Sequence, residues 1–505
     1  MLWIATVVGN VGTWIRDVAS GWAMTDLSTS PLMVALVQAF GSLPVFLLAL
    51  PAGALSDLLD RRRLLLGVQG WLLATSVTLA LLAATGRLDS MALLMLTLSG
   101  GVGAALLAPS WMAIVPQLVP RAELRSAVAL NSLGVNISRA IGPALGGVVL
   151  STWGLAAAYG LDVLTYVVTA LALLWWRPAA IASRLPSESL FGAMRAGVRY
   201  ALASPELKRT LLRGMVFFVF ATALWALLPL VARSQPGATA GLYGFMLAAV
   251  GGGAITGAVL MPRLRSRWST EQVLALATLA LAAALVTVAH SRVIALTISA
   301  CLLSGIGWII ALTTFGATVQ AVLPDWVRGR GLSVHLTMFY GSMTLGSLLW
   351  GQLASATSLS FALTCAGAAS MLSLLLSLGV RLPAGDGNLA AVRPWPDPAM
   401  AEPPASARGP VCVVVEYRID PSRREQFLTL LRTFSGERRR NGAFHWQAYE
   451  DVARPGTIVE MFLEASWAEH QRHHERVTAA DADVQQQVLR FHVGPGPPEV
   501  RHLLA

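Results

Sequence analysis

The chain has 505 residues, of which 55% are apolar and 13% are charged, and its formal net charge is +10. Soluble globular proteins carry about 25% charged residues, so this composition excludes an ordinary soluble enzyme as a description of the whole chain. A run of about 18 or more apolar residues crosses a bilayer core as one helix. Most basic residues of the first 380 lie between such runs, which argues against nucleic-acid binding.

Twelve apolar runs are predicted to be transmembrane helices, with a polar gap after the sixth. They cover residues 2–25, 31–56, 64–86, 91–116, 126–150, 153–176, 214–232, 237–261, 272–289, 293–323, 331–355 and 358–380. The first run lacks a basic flank and a cleavage site, so we interpret it as a retained helix rather than a signal peptide. The expected domains are an N-terminal six-helix half (1–176), a cytoplasmic linker (177–213), a C-terminal six-helix half (214–381), a second linker (382–410) and a soluble domain (411–505).

Arginine clusters follow the even-numbered predicted spans, whereas the odd-numbered connections contain single arginines only. The clusters are Arg61–Arg63, Arg121 with Arg125, the group from Arg177 to Arg213, Arg263–Arg267, and Arg328 with Arg330; the single residues are Arg87, Arg233 and Arg292. Basic residues mark the cytoplasmic side of a membrane protein. We therefore predict a multi-pass inner-membrane protein with both termini in the cytoplasm.

The two predicted halves align with each other at an offset of 204 residues. The matched pairs are Gly53 and Gly257, Arg61 and Arg265, Arg63 and Arg267, Pro120 and Pro324, Ser138 and Ser342, Gly142 and Gly346, and Gly147 and Gly351. Two parallel six-helix repeats around an axis along the membrane normal place a substrate path between them, near mid-bilayer.

A loop motif ends the second predicted span, with Gly53, Asp57 and the basic cluster 61–63. It resembles the loop signature of the major facilitator transporters. Gly53 permits close helix approach, and Asp57 can accept hydrogen bonds from a neighbouring helix and pair with an arginine. We predict that this gating loop (Gly53, Asp57, Arg61, Arg62, Arg63) holds one access state closed; a plain cytoplasmic anchor is the alternative. The family usually has Gly where Asp60 stands, and Met261 replaces the acid in the second half.

A second motif lies in the fifth predicted span and contains Gly142, Pro143, Gly146 and Gly147. Its small residues permit tight packing, and Pro143 removes one helical hydrogen bond, which bends a helix. The motif resembles a helix-five signature associated with exporters. The stretch 109–147 resembles the major facilitator branch of enterobactin exporters and transmembrane secretion effectors, which implies export of a siderophore, drug or metabolite.

Charged residues inside the spans are candidates for the transport site, because an ionisable side chain at mid-bilayer costs about 3 kcal/mol. We predict that Asp17 and Arg139 line the central cavity and that Asp17 titrates; a buried structural charge network is the alternative. Arg16 precedes Asp17 but points about 100° away on a helix, so the two need not pair. Asp162 lies in a span that is usually peripheral to the path.

Polar and aromatic residues provide further candidates. Asn136 and His335 either line the cavity or form hydrogen bonds between helices. Trp14, Trp225 and Trp308 either stack on an aromatic substrate or serve packing and membrane-interface roles. The fourth span contains no arginine, although many proton-coupled drug antiporters carry one there, so proton coupling by that route is not expected.

The segment from residue 411 alternates in strand fashion and has the order β-α-β-β-α-β, which suggests a ferredoxin-like domain. Its run 458–477 resembles the small dimeric antibiotic-biosynthesis monooxygenase-like domains, which implies dimerisation or ligand binding. His470, His473 and His474 have a spacing at which two histidines can bind a metal, but three histidines on a helix are more often a polar face. We expect no catalytic residue, metal or cofactor.

These patterns together predict a transporter rather than an enzyme, with a small-molecule substrate, the lipid bilayer and possible coupling protons as its partners, and no nucleic acid. No phosphate-binding nucleotide loop is evident, so an ion gradient is the expected energy source. We expect export by alternating access. The alternatives are an importer of the same fold, and a membrane-tethered monooxygenase-like enzyme that acts through the C-terminal domain.

Overall fold

The computed structural model describes residues 2–118, 123–176, 190–383, 387–392, 405 and 408–505. It divides into two compact units, which are described separately. The first unit, here the membrane unit, comprises the residues up to Leu190, Leu211–Ala317 and His335–Leu382. The second unit comprises Phe191–Thr210, Thr318–Val334 and Pro383–Ala505.

Helices follow one another along the chain up to residue 379. They are α1 (Leu2–Leu27), α2 (Pro31–Leu58), α3 (Arg61–Ala84), α4 (Ser90–Leu118), α5 (Leu124–Trp175), α6 (Leu190–Ala203), α7 (Pro205–Arg233), α8 (Ala240–Arg267), α9 (Thr270–His290), α10 (Ile294–Ala321), α11 (Arg328–Ala356), α12 (Leu359–Leu372) and, after one 3-10 turn, α13 (Leu376–Gly379). Each predicted span coincides with one of these helices or with part of α5. The linker helix α6 was not predicted.

Among the described residues, nine helices are long and apolar enough to cross a membrane. They confirm a mostly helical, multi-pass membrane protein. Two further helices, α1 and α11, are as long but more polar, and α1 carries Arg16 and Asp17 in its interior. The number of twelve spans therefore stays a prediction.

The long helix α5 contains both the fifth and the sixth predicted spans. Gly154 interrupts it with φ 79° and ψ −178°, a backbone conformation that glycine adopts at little cost because it has no Cβ. The helix continues through Pro143, and the break lies at the second residue of the sixth predicted span, close to the predicted gap at residues 151–152.

The turn between α2 and α3 is held by side chains of the basic loop. Asp60 caps the N-terminus of α3 by accepting a hydrogen bond from the backbone N–H of Arg63 at 2.8 Å. Arg62 donates to the carbonyl oxygens of Leu173 at 3.1 Å and Leu174 at 2.5 Å, at the end of α5. Aspartate in place of the family's usual glycine thus begins α3, since a carboxylate is a favourable N-cap.

The predicted repeat has matching helix contacts. A methyl group at Gly142 on α5 would lie 2.6 Å from Cβ of Trp14 on α1. At the matched position Gly346 on α11, it would lie 2.6 Å from the carbonyl oxygen of Val219 on α7. Each glycine therefore allows the fifth helix of its half to pack closely on the first helix of the same half.

The second unit contains a four-stranded antiparallel sheet with strand order β2-β3-β1-β4. Its strands are β1 (Val411–Arg418), β2 (Phe444–Glu450), β3 (Thr457–Glu464) and β4 (Glu499–Leu504), and its helices are α14 (Arg424–Asn441), α15 (Trp467–Arg476) and α16 (Ala479–Leu489). The apolar side of α14, with Phe427, Leu431 and Phe434, is buried with the inner side chains of β1 and β3. Ser466 caps α15 by accepting a hydrogen bond from the backbone N–H of Glu469.

The same unit includes α6 and the connection between α10 and α11. Arg476 at the end of α15 stacks on Trp326 of that connection, with the guanidinium carbon 4.5 Å from the ring centre. Arg440 on α14 pairs with Glu206 at 3.8 Å. The sheet domain therefore forms one compact unit with two segments that the sequence assigns to connections between membrane helices.

Candidate functional site

A charged network lies inside the membrane unit, half-way along α1. Arg16 donates hydrogen bonds to Asp17 at 3.1 Å and to the hydroxyl of Tyr166 at 2.9 Å. Its guanidinium also lies 3.9 Å from Asp162 on α5. Arg16 and Asp17 therefore do pair, because the long arginine side chain bends back to its neighbour despite the helical angle between them.

Asp162 is a member of this network, although the sequence suggested a peripheral position. Its side chain is 0% exposed. One carboxylate oxygen accepts a hydrogen bond from Ser76 at 2.6 Å, and the other, Oδ1, has no hydrogen-bond partner. A buried carboxylate is tolerated in a membrane span only beside a compensating charge, and that rule was the available signal for a role of Asp162.

The two carboxylates that flank Arg16 differ in their access to solvent. The side chain of Asp17 is 53% exposed, whereas those of Arg16 and Asp162 are 14% and 0% exposed. With both carboxylates ionised the three side chains carry one net negative charge, and one bound proton makes them neutral. Asp17 is therefore the most solvent-accessible member of the network.

Arg139 lies half-buried on α5, within electrostatic range of Tyr340 on α11 of the other half. Because Pro143 has no N–H, the carbonyl of Arg139 lacks its helical partner. Gly251 on α8 packs against that carbonyl: a methyl group there would lie 2.7 Å from the oxygen. The exporter-like motif therefore sits at the contact between the two halves.

Three predicted tryptophans form one aromatic row between the halves. The ring centres of Trp14 on α1 and Trp225 on α7 are 6.3 Å apart, and those of Trp225 and Trp308 on α10 are 5.4 Å apart. Phe339 on α11 continues the row at 5.9 Å from Trp308. The row therefore contains residues of both halves, and Trp308 within it is buried.

The basic face is defined here as the membrane face at which α2 ends and α3 begins. On the opposite face the two halves are joined by Arg233 at the end of α7. Arg233 donates to Thr25 at 2.8 Å, forms an ion pair with Asp26, and lies 4.0 Å above the ring of Trp22. Sequence reasoning treated Arg233 only as a single loop arginine and missed this contact, which we call the Arg233 contact.

Backbone packing also joins the halves. A methyl group at Gly147 on α5 would lie 2.9 Å from Cα of Gly244 on α8. At the matched position Gly351 on α11, it would lie 2.5 Å from Cβ of Ala35 on α2. Such short distances exclude any side chain, so glycine is required for the two halves to approach at these points.

The remaining predicted residues lie on α2, α3, α5 and α11. Gly53 and Asp57 lie in α2 and Arg61 begins α3, but the side chains of Asp57 and Arg61 lie outside the described part of the structure. Asn136 on α5 and His335 on α11 are half-buried, and Nδ1 of His335 has no hydrogen-bond partner.

The core of the sheet domain contains a buried carboxylate. Glu460 is 0% exposed and accepts hydrogen bonds from Tyr417 at 2.9 Å, Trp446 at 2.8 Å and Arg438 at 3.4 Å. Burial and the neighbouring Glu460 raise the pKa of Tyr417 well above its ordinary value. Because Glu460 pairs with Arg438 and accepts hydrogen bonds from Tyr417 and Trp446, its carboxylate is compatible with the core.

The histidines of α15 do not form a solvated polar face. His470 and His473 are both 3% exposed, and each Nδ1 lies in hydrogen-bond contact with the buried carboxylate of Glu464. Burial opposes ionisation of Glu464, but contacts with His473 and His470 hold its pKa well below the ordinary range. The expectation of a polar face is therefore wrong for these two residues.

Solved structures with a similar fold are transporters. The nucleoside transporter NupG aligns with a TM-score of 0.63 and 12% identity over 75% of this chain and 100% of its own. A bacterial homologue of the lysosomal transporter Spinster aligns with a TM-score of 0.56 and 15% identity over 75% of this chain and 94% of its own. The chain thus has the fold of the major facilitator transporters.

The sequence model of the family described as transmembrane secretion effector matches residues 1–505, so the chain belongs to that family of major facilitator transporters. It is 22% identical to the staphyloferrin A transporter of Staphylococcus aureus over 67% of this chain and 85% of the relative. It is 25% identical to the multidrug efflux pump Tap of Mycolicibacterium fortuitum over 71% of this chain and 90% of the relative. It is 30% identical to the enterobactin exporter EntS of Shigella boydii over 59% of this chain and 62% of the relative. The family and these relatives are transporters, which supports the prediction that the chain is not an enzyme.

Proposed function

We propose that the protein exports a small organic molecule, such as a siderophore or drug, by alternating access in exchange for protons. The observation that carries the proposal is the network of Arg16, Asp17 and Asp162 in the middle of a bundle whose halves meet at an aromatic row. Relatives named as an enterobactin exporter and a multidrug efflux pump support the outward direction.

The aromatic row and Arg139 favour a substrate that has an aromatic ring and a negative charge. Tryptophan rings provide large flat contact areas. Arg139 adds a guanidinium, which pairs well with anionic oxygens. Both features lie at the contact between the halves, where the repeat architecture places the substrate path.

Coupling to protons rests on the unequal environments of the two carboxylates. Asp162 is fully buried and keeps Arg16 in place, whereas Asp17 is half-exposed and exchanges the proton. When Asp17 binds a proton, its attraction for Arg16 is lost and Arg16 remains with Asp162 alone. A change of partner at Arg16 moves α1 relative to α5, which is the kind of two-state element that access switching needs.

The gating loop and the exporter-like motif complete the proposal. We infer that Gly53, Asp57 and Arg61–Arg63 stabilise closure of the basic face. In the exporter-like motif, we infer that Pro143 and Gly147 provide the close contact of α5 with the other half, and that Gly142 and Gly146 provide its close contact with α1. The Arg233 contact stabilises closure of the opposite face. Arginine-rich connections support a cytoplasmic position for the basic face and for both termini.

The same proposal covers the architecture beyond the nine apolar helices. We infer twelve spans, with α1, α11 and both segments of α5 included, in two halves of residues 1–176 and 214–381. The strand order β2-β3-β1-β4 supports a ferredoxin-like domain in residues 411–505. Its likeness to small dimeric domains supports a role in dimerisation.

The experiment uses inside-out membrane vesicles that contain the full-length protein. We expect uptake of a labelled catechol siderophore or a fluorescent drug to depend on an imposed pH gradient, acid inside. Asp17→Asn should abolish that dependence. The control Asp89→Asn changes an aspartate that caps α4 through the N–H of Ala92, and it should leave the dependence intact.

Two outcomes would contradict the proposal. Transport by Asp17→Asn that still follows the pH gradient would remove Asp17 from coupling. Accumulation only in right-side-out vesicles would identify an importer of the same fold.

A further inference from the structure

Three imidazoles meet at one edge of the sheet domain. His470 and His474 lie one turn apart on α15, and His502 lies on β4, the edge strand paired with β1. One ring nitrogen of each lies within 4.8 Å of the others. The ring centre of His470 is 4.7 Å from that of His474 and 4.7 Å from that of His502.

His470 is held in an orientation that leaves one ring nitrogen unused. Its Nδ1 lies 2.6 Å from a carboxylate oxygen of Glu464, whose side chain is 0% exposed. An ionised carboxylate accepts from Nδ1–H and fixes the tautomer in which Nε2 carries a lone pair. Nε2 of His470 is buried and has no hydrogen-bond partner, which is costly unless another group occupies the site.

The neighbouring rings are chemically suited to the same occupant. His474 on α15 and His502 on β4 are both half-buried. Each ring offers one nitrogen within 4.8 Å of that of His470, and a neutral imidazole nitrogen is a common ligand of metal ions.

We propose that His470, His474 and His502 bind one divalent transition-metal ion of the zinc type. Imidazole nitrogen suits zinc and its neighbours, whereas Ca²⁺ and Mg²⁺ prefer oxygen ligands. Zinc binds three protein histidines in tetrahedral sites whose fourth position is open to water. Glu464 contacts Nδ1 of His470 and so orients the ring that would bind the metal, a common role for a carboxylate beside a zinc site.

No metal site was predicted from the sequence, because only the spacing of His470, His473 and His474 was available. In the structure Nδ1 of His473 contacts Glu464, so His473 is not a proposed ligand. The third proposed ligand is His502 on β4. Zinc–nitrogen bonds of about 2.1 Å place tetrahedral ligands about 3.4 Å apart, so small side-chain rotations bring nitrogens within 4.8 Å into coordination.

The test uses the full-length protein in detergent, purified without a polyhistidine tag and stripped with a chelator. Titration with ZnCl₂ against a chromophoric competitor should show one Zn²⁺ bound per chain. His474→Ala and His502→Ala should each abolish this binding, and Glu464→Gln should weaken it about 10–100-fold. The matched control is His445→Ala, which removes an exposed histidine of the same domain.

Co²⁺ provides a second measurement that does not depend on loss of binding. We expect Co²⁺ in the wild-type protein to show the intense visible absorption of a tetrahedral site, and His502→Asp, which keeps a ligand atom, to retain a shifted form of it. Absence of Zn²⁺ binding in the wild type, or equal binding by all variants, would overturn the proposal. Transport is not part of either measurement, so the export proposal stands or falls separately.

Discussion

Replacing Arg233 with alanine should shift the protein toward states that are open on the face opposite the basic one. Arg233 forms an ion pair with Asp26, donates to Thr25, and stacks on Trp22 at 4.0 Å. The side chains of Arg233 and Asp26 are 35% and 58% exposed, so the ion pair contributes about 0.2–1 kcal/mol. The cation–π contact adds about 0.5–1 kcal/mol.

Loss of about 0.7–2 kcal/mol changes a two-state equilibrium about 3–30-fold. Double electron–electron resonance measures that change as the distance between spin labels at Thr29→Cys and Pro236→Cys. The labels are introduced into a variant whose three native cysteines are replaced. Both label positions are exposed, and they lie on the same face in different halves. We expect the ratio of long to short distances to rise by that factor in Arg233→Ala.

The control is Arg292→Ala. Arg292 lies on the same face but donates to the carbonyl of Ser234 within its own half, at 3.1 Å, so its loss should leave the distances unchanged. An unchanged distribution in Arg233→Ala, or an equal shift in both variants, would refute the assignment of the Arg233 contact to closure.

Two further predictions concern the sheet domain in the full-length protein. Glu460→Ala removes a buried carboxylate that pairs with Arg438, whose side chain is 7% exposed. The domain should therefore lose about 3–5 kcal/mol of stability, measured by hydrogen exchange in β1 and β3. Burial raises the pKa of Glu437 to about 8. Between the ordinary pKa of a glutamate and pH 8, the folded protein therefore keeps a proton on Glu437 that the unfolded chain releases. Stability should therefore fall as pH rises through that window, and Glu437→Gln should remove the dependence of exchange in α14.

Each of these has its own control. Replacing Glu460 by Leu and Arg438 by Met together should recover the part of the loss that comes from the buried Arg438 charge, while Tyr417 and Trp446 still lack the acceptor that Glu460 provided. A loss as large as in the single variant would count against the ion-pair explanation. For Glu437, exchange in α9 provides the reference, and equal pH dependence in wild type and variant would contradict the assigned proton.

The positions of the helices followed from the sequence because the bilayer requires long uninterrupted apolar runs. The same holds for the sheet domain, where alternating strands and the cap at Ser466 are local signals. The linker helix α6 was missed because it is too short to span a membrane, and its amphipathic spacing, which indicates a helix, was not used in the prediction. The break at Gly154 lies two residues beyond the gap predicted between the fifth and sixth spans.

The site residues were harder to predict because their partners are distant in the chain. Asp17 was selected from its position in a span, but its relation to Asp162 depends on how α1 packs on α5. The ion pair of Asp26 and Arg233 joins residues 207 positions apart, and no spacing rule connects them. The same holds for His502, which sequence spacing could not relate to α15.

The contact between Gly147 and Gly244 has a consequence for leakage. Because only main-chain atoms meet there, no change of side-chain rotamer can lengthen or shorten the contact. In the proposed alternating-access cycle, a rotation of one half about this point would widen the opening on one face while it narrows the other. A continuous aqueous pore would require both openings to widen at once and this contact to separate, which its close packing opposes.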